Sequence, residues 1–223
     1  MGLQNIDKSV FQHYLPMFVN EQSESLSIDW SEQQSLEEES KHPCPSHGSI
    51  LSDNNSDSEG EVIFNGPGYK NGPKIKAKLT NCFLQAKKSI KIWWYTIGND
   101  ILTSKWSLEI FQNLVSNGVK IHIITDKNQA KISKLNKNLE KLQKVGAEVR
   151  INPKSNITMH HKFVIIDDTL MYAGSMNLGA KSLQNYEQLE FTSKKNKIKP
   201  YLKRFDELMN ETKILDIPNL INE

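Results

Sequence analysis

The sequence lacks a long apolar stretch and has few cysteines. No apolar run among its 223 residues approaches the roughly 20 residues that cross a bilayer, so we predict no transmembrane segment. The N-terminus shows neither the apolar core of a secretory signal nor an arginine-rich transit pattern. Only two cysteines are present, Cys44 and Cys82, which is too few for a disulfide framework. These features favour an intracellular protein, cytoplasmic or nuclear.

The first 60 residues also lack basic side chains almost entirely. They contain two basic and eleven acidic residues, a net charge of −9, whereas residues 61–223 contain 26 basic and 15 acidic residues, a net charge of +11. The acidic segment has few large apolar side chains with which to offset its ordering entropy. We therefore predict an acidic disordered leader over 1–60, one folded domain over 61–212 and a C-terminal tail over 213–223.

One short pattern in the leader could bind a metal ion. His42, Cys44 and His47 are spaced closely enough to share zinc, but a structural zinc site normally uses four ligands and no CxxC accompanies them. We therefore predict neither a metal ion nor a cofactor.

From residue 61 the sequence alternates between strand and helix patterns. Runs rich in β-branched and aromatic residues predict strands over 61–65, 89–97, 119–125 and 147–151. Between them, apolar residues at helical spacing predict three helices, which are marked by Ile75, Leu79, Cys82 and Phe83, by Leu108, Phe111 and Leu114, and by Ile132, Leu135, Leu139 and Leu142. This rhythm favours an α/β layered fold with a mixed, largely parallel sheet.

The most specific pattern lies in the segment MHHKFVIIDDTLMYAGSMNLGAKSLQNYEQLEF. His160 and Lys162 are two residues apart, so both would lie on one face of a strand, whereas Asp167 has the opposite parity. A second predicted strand, over 170–177, places Ser175 and Asn177 on one face. An imidazole, an ammonium group, a hydroxyl and a carboxamide can converge on one tetrahedral anion, which indicates phosphate chemistry.

Two adjacent histidines compete for the role of nucleophile. Only His160 stands two residues before Lys162. His161 would face the other layer of the fold, and we predict for it a packing or hydrogen-bonding role.

The set His160, Lys162, Asp167, Ser175 and Asn177, called the signature below, resembles that of the phospholipase D superfamily. The resemblance covers about residues 61–212 and includes one signature where larger members have two. It is most similar to the small single-signature branch, which comprises Nuc-like endonucleases and the Zucchini or mitochondrial cardiolipin hydrolase group. The resemblance implies the α-β-α layered fold of that superfamily.

The resemblance also implies a mechanism. Two identical chains would pair so that their signatures meet, and no metal ion would be required. One histidine attacks phosphorus to form a phosphohistidine, while the histidine of the other chain protonates the leaving oxygen and then activates water. Two histidines with opposite protonation states suit these two roles.

The same resemblance assigns roles to the signature residues. It makes His160 the nucleophile or the acid/base, Lys162 and Asn177 ligands of the phosphoryl oxygens, and Ser175 a further donor to the same group. Asp167 would be structural support.

A glutamate that follows the signature completes the site in this family, where it orients the catalytic histidine. Glu187 is the best match, although the spacing is one residue short and Glu190 is nearby. Gly179 departs from the threonine of many relatives. The chain also shows neither the N-terminal membrane helix nor the cysteine-rich zinc element of Zucchini-type proteins.

Three functions fit these observations. The first is an endonuclease for single-stranded RNA or DNA, to which the positive charge points and for which Trp93, Trp94, Tyr95 and Trp106 offer stacking surfaces. The second is a cardiolipin or other phospholipid phosphodiesterase acting on an anionic lipid, with the mitochondrial surface as its location by resemblance. The third is a catalytically silent module that binds nucleic acid.

Overall fold

The structure is a computed structural model that describes residues 60–98, 101–152, 154 and 156–217. The predictions of a disordered leader and of the ligands His42, Cys44 and His47 therefore lie outside the described residues. Within these ranges, no helix combines the length and the apolar character needed to span a bilayer.

The described residues form eight strands and five helices. A 3-10 turn (Ala180–Gln184) lies between β6 and β7. The elements in chain order are β1 (Glu61–Asn65), α1 (Gly72–Leu84), β2 (Ser89–Trp94), α2 (Lys105–Ser116), β3 (Lys120–Thr125), α3 (Lys127–Ala130), α4 (Ser133–Lys144), β4 (Glu148–Ile151), β5 (Lys162–Ile166), β6 (Leu170–Gly174), β7 (Glu187–Thr192), α5 (Lys195–Glu211) and β8 (Lys213–Ile214). The four strands and three helices predicted up to residue 151 are confirmed, with α3 as an additional short turn of helix.

The strands form one mixed sheet in the order β1-β7-β6-β5-β2-β3-β4-β8. The predicted α/β fold with a mixed sheet is thereby confirmed. Parallel pairing, expected for most of the sheet, is confined to β2 with β3 and β3 with β4, and the other neighbours are antiparallel. One of the antiparallel pairs is set by the tight turn at Asp167 and Asp168, whose φ values are 52° and 61°. This turn reverses the chain, so β6 runs antiparallel to β5.

Helices cover both faces of the sheet. On one face, Ile198, Phe205 and Leu208 of α5 pack in a buried cluster with Trp93 and Phe163. Because side chains alternate along a strand, the residues directly before and after Trp93 and Phe163 in their strands point to the other face.

The second face is covered by α1 and α2. Tyr172 and Phe191 meet there at 4.5 Å between ring centroids, and Lys78 of α1 lies 4.6 Å above the Phe191 ring. Phe83 of α1 contacts Phe111 of α2, with ring centroids 5.4 Å apart. The sheet is thus packed between helices on both faces, in α-β-α layers.

The folded part extends beyond the boundary predicted at residue 212. Strand β8 pairs antiparallel with β4, with Arg150 opposite Ile214. Leu215 is buried, and its backbone N–H donates to the carbonyl of Val149 at 2.8 Å. A two-residue strand is too short to produce an alternating pattern, so no periodicity in the sequence predicts it.

Candidate active site

The signature residues are divided between two opposite edges of the sheet, which are here the two sides at which the strands begin and end. At one edge β2, β3 and β6 end and β5 and β7 begin, as the pairing of Trp94 with Lys162 and of Gly174 with Leu189 establishes. Residues directly before or after these strands, among them His160 and Ser175, lie at this edge. We refer to it as the catalytic edge.

His160 and Lys162 contact each other at the catalytic edge. The Lys162 Nζ lies 3.3 Å from both ring nitrogens of His160 and donates to the His160 carbonyl at 3.1 Å. Lys162 is the first residue of β5 and only 8% of its surface is exposed, whereas His160 is exposed. Burial lowers the pKa of Lys162, and the nearby carboxylate of Glu187 partly opposes that effect.

Ser175 and Glu187 form a second polar pair at the same edge. The Ser175 hydroxyl donates to Glu187 Oε2 at 2.5 Å, and the Gln188 N–H donates to the Ser175 hydroxyl at 3.1 Å. Glu190, the alternative to Glu187, instead forms an ion pair with Lys197 of α5. The structure therefore places Glu187 beside the signature and Glu190 on the α5 side of the sheet.

Asp167 lies at the far edge, at the other end of β5. It lies five positions after Lys162, a length of about 16 Å in a strand. Its buried carboxylate accepts backbone N–H groups from Lys87, Lys88 and Ser89 at 2.9, 2.7 and 2.9 Å. The structure thus does not bring Asp167 to the other signature residues.

Asn177 follows β6, which ends at Gly174 rather than at the predicted residue 177. Its side-chain Oδ1 is buried and has no hydrogen-bond partner among the described residues. Gly174 meets a close approach, because a Cβ placed there would lie 2.0 Å from the Gln188 carbonyl oxygen. Only glycine therefore permits β6 and β7 to pair at this point.

His161 faces away from the signature, as predicted, and packs on Trp93 with ring centroids 4.0 Å apart. Burial lowers the pKa of His161, and the positive charge of Arg204 lowers it further. Trp93 and Trp94 are 2% and 0% exposed, so neither offers the predicted stacking surface.

Sequence reasoning missed two residues at the catalytic edge and gave a third a different role. Asp126 and Gln129 follow β3, and Tyr95, expected only to stack, follows β2. The Tyr95 and His160 rings are 4.7 Å apart, and Gln129 Nε2 donates to the Tyr95 hydroxyl at 2.9 Å. An aspartate between a strand and a helix start is a typical N-cap, a signal that would have found Asp126.

The described residues contain no group of three or more histidine, cysteine, aspartate or glutamate side chains placed to share a metal ion. The acidic and imidazole groups of the catalytic edge are paired with protein donors instead. Its chemistry is that of an imidazole beside an ammonium group, with a hydroxyl and a carboxylate nearby.

Comparison with known proteins identifies related chains. Residues 79–209 match the family described as cardiolipin synthase, PLD-like domain. The mitochondrial cardiolipin hydrolase of Chlamydomonas reinhardtii is 28% identical over 141 residues, which are 63% of this chain and 60% of that protein. The 5'-3' exonuclease PLD3 of Rattus norvegicus is 30% identical over 107 residues, which are 44% of this chain and 21% of that protein.

Among solved structures, NucT from Helicobacter pylori shares the fold. The two structures superpose with a TM-score of 0.58 at 19% sequence identity, and the match covers 70% of this chain and 99% of the NucT chain. The chain spans about 60% of the length of the mitochondrial cardiolipin hydrolases that it matches.

Proposed function

The chain belongs to the phospholipase D-like family with one signature per chain, and from this premise we propose that it is a phosphodiesterase that needs no metal ion. We further propose that it cleaves single-stranded nucleic acid through a phosphohistidine intermediate in a homodimer. The contact between His160 and Lys162 carries this proposal.

That contact places a nucleophile beside a positive charge. A ring nitrogen of His160 attacks phosphorus, so a P–N bond forms while the P–O bond to the leaving group breaks. The Lys162 ammonium group, 3.3 Å from the imidazole, neutralises charge that develops on the phosphoryl oxygens. Asn177 and Ser175 complete the phosphate site, and Glu187 holds the Ser175 hydroxyl. Asp167 supports the fold from the far edge.

The leaving oxygen needs a proton from an acid other than the attacking imidazole. His161 packs on Trp93, away from His160, and is not placed for this task. We therefore assign the acid to His160 of a second copy of the chain, which protonates the leaving oxygen. Its neutral imidazole then removes a proton from the water that breaks the P–N bond. The homodimer thus supplies the two imidazoles that the reaction needs.

Positive charge supports nucleic acid as the substrate. Residues 61–223 carry a net charge of +11, and backbone phosphates favour such a surface. The related rat protein is named an exonuclease. With Trp93 and Trp94 buried, Tyr186 is the aromatic side chain next to Glu187 that a base can reach, since it is 78% exposed.

A phospholipid phosphodiesterase is the second candidate. It is favoured by the algal relative, which is named a mitochondrial cardiolipin hydrolase. The same residues would attack either phosphodiester, so the two candidates differ in the substrate and not in the chemistry. This candidate places the protein at a mitochondrial surface, whereas the first is compatible with the cytoplasm or nucleus.

Cleavage assays with the full chain in EDTA test the reaction and the substrate together. The probes are end-labelled single-stranded RNA and DNA oligonucleotides and vesicles that contain cardiolipin. We expect cleavage of the oligonucleotides, and a His160→Ala variant should lose at least about 10²–10⁴-fold in rate. His161→Phe is the matched control and should retain activity.

Each of the other outcomes contradicts one part of the proposal. Cleavage of cardiolipin alone favours the second candidate. Binding of oligonucleotides without cleavage of any probe favours a silent binding module and overturns the enzyme. Cleavage that disappears in EDTA overturns independence from metal.

Mixed dimers test the shared site. We expect purified heterodimers of wild-type and His160→Ala chains to be almost inactive, because each phosphate then meets only one imidazole. Half of the wild-type activity in such heterodimers, or an active monomer in analytical ultracentrifugation, would contradict the homodimer.

A further inference from the structure

His160 lies outside regular structure, two residues before β5 begins at Lys162. An exposed side chain normally samples several rotamers. Attack on phosphorus requires the ring nitrogen to be held close to one position, since a displacement of about 1 Å can cost about 10²-fold in rate. The imidazole therefore needs a neighbour that limits its rotation.

Tyr95, the first residue after β2, provides that contact. Its ring centroid lies 4.7 Å from that of His160, with the two planes tilted by 54°. The Lys162 Nζ lies 5.6 Å from the same ring centroid, within the range of a cation–π interaction. The Tyr95 N–H also donates to the His161 carbonyl at 2.9 Å, which fixes the two segments side by side. One aromatic ring thus contacts both side chains of the reacting pair.

Gln129 fixes the Tyr95 ring in turn. Its Nε2 donates to the Tyr95 hydroxyl at 2.9 Å, and its Oε1 accepts the Thr96 hydroxyl at 2.8 Å. Both polar atoms of the amide are engaged, so the amide cannot rotate without losing a hydrogen bond.

Asp126 joins this support to the backbone before His160. Its side chain is 1% exposed, and its Oδ1 accepts the N–H groups of Asn128 and Gln129 at 3.0 and 3.1 Å. Its Oδ2 accepts the N–H of Met159, the residue before His160, at 3.0 Å. One buried carboxylate therefore holds both the backbone of Gln129 and the backbone that leads into His160.

We propose that Tyr95 is a positioning residue for His160 and that Gln129 holds Tyr95 in place. The inference rests on the proposed phosphodiesterase function of the same site. Tyr95 acts through the imidazole and the ammonium group and does not touch the reacting atoms. Its ring is the main contribution, and its hydroxyl serves to anchor the ring.

Kinetics of paired variants test this role. Tyr95→Leu should lower kcat by about 10- to 100-fold with little change in KM, because the imidazole loses its place and not its charge. Tyr95→Phe keeps the ring and should retain most of the wild-type kcat. Tyr69→Leu is the matched control, since Tyr69 is 62% exposed and its ring contacts Phe64. Equal losses of kcat in Tyr95→Leu and Tyr95→Phe would overturn the proposal.

A double-mutant cycle tests the anchor. Tyr95→Phe and Gln129→Leu both break the hydrogen bond between Tyr95 and Gln129, and Gln129→Leu also removes the acceptor of the Thr96 hydroxyl. We therefore expect a small loss in each single variant, and in the double variant a loss no larger than that of Gln129→Leu alone. Losses that multiply in the double variant would show that Gln129 does not act through Tyr95.

Nuclear magnetic resonance of the His160 imidazole provides a readout that is independent of activity. The His160 signals are identified by their absence in a His160→Gln variant. We expect Tyr95→Leu to move them and Tyr69→Leu to leave them unchanged, and unmoved signals in Tyr95→Leu overturn the positioning role even when the wild type is active. Moved signals in a protein that cleaves no phosphodiester support the positioning contact and overturn the proposed function.

Discussion

Asp167 and Ser89 are joined by two hydrogen bonds of opposite direction. The Asp167 N–H donates to the Ser89 carbonyl at 2.9 Å, and the Ser89 N–H donates to the Asp167 carboxylate at 2.9 Å. This reciprocal pair connects the end of β5 to the start of β2, about 16 Å from Lys162. The aspartate of the signature is therefore tied to the backbone at the far edge of the sheet, away from His160 and Lys162.

We predict that Asp167→Ala destabilises the protein without changing the chemistry. Three backbone donors lose their acceptor, which should cost about 2–4 kcal/mol in the free energy of unfolding. Asp168→Ala is the matched control, because Asp168 has a similar positive φ and a side chain that is 51% exposed. Chemical denaturation measures both. A large loss of kcat in Asp167→Ala with unchanged stability would contradict a structural role.

Gly174→Ala should prevent β6 and β7 from pairing correctly. The added Cβ would meet the Gln188 carbonyl oxygen, which accepts the N–H of Ser175. We expect a loss of about 1–3 kcal/mol or more in stability and a loss of activity, because Ser175 is displaced. Gly68→Ala is the control, since nothing lies within 4 Å of a Cβ there. A Gly174→Ala variant as stable and as active as Gly68→Ala would show that the strands adjust freely.

Glu187→Gln should shift the activity profile at alkaline pH. Burial lowers the pKa of Lys162, and the Glu187 carboxylate opposes this, so its removal lowers the pKa of Lys162 further. The ammonium group is then lost at a lower pH, and the alkaline limb of kcat should move toward neutrality. Glu190→Gln, which removes only the ion pair with Lys197, is the control. An unmoved limb in Glu187→Gln, or an equal shift in both variants, would refute the coupling.

His161 should make the stability of the protein depend on pH in the acidic range. Its pKa in the folded chain is lowered from 6.5, first by burial and then by the charges of Arg204, Lys162 and His160. Below pH 6.5 the unfolded chain binds a proton at His161 more readily than the folded chain does. The contribution of His161 to stability is therefore present above pH 6.5 and is lost as the pH falls through the pKa of the folded chain. The melting temperature of His161→Phe should fall less between pH 7 and pH 5 than that of the wild type. Parallel curves for the two proteins would disprove this.

Local patterns in the sequence predicted the strands and helices up to residue 151 and grouped the candidate site residues. Periods of 2 and 3.6 residues define β2, β3 and α1, because they are set by the backbone geometry of single segments. The contact between His160 and Lys162 likewise joins residues two positions apart, although His160 lies before β5 and not within it. These features were predicted from neighbouring residues alone.

The tertiary structure decided what depends on contacts between distant segments. Whether Glu187 or Glu190 faces the signature follows from the pairing of β7 with β6 and from the position of α5. The burial of both Trp93 and Trp94 follows from layers on the two faces of the sheet. The approach of Gln129 to Tyr95 spans 34 positions in the chain. Such contacts are set by strand order and packing, which no local period encodes.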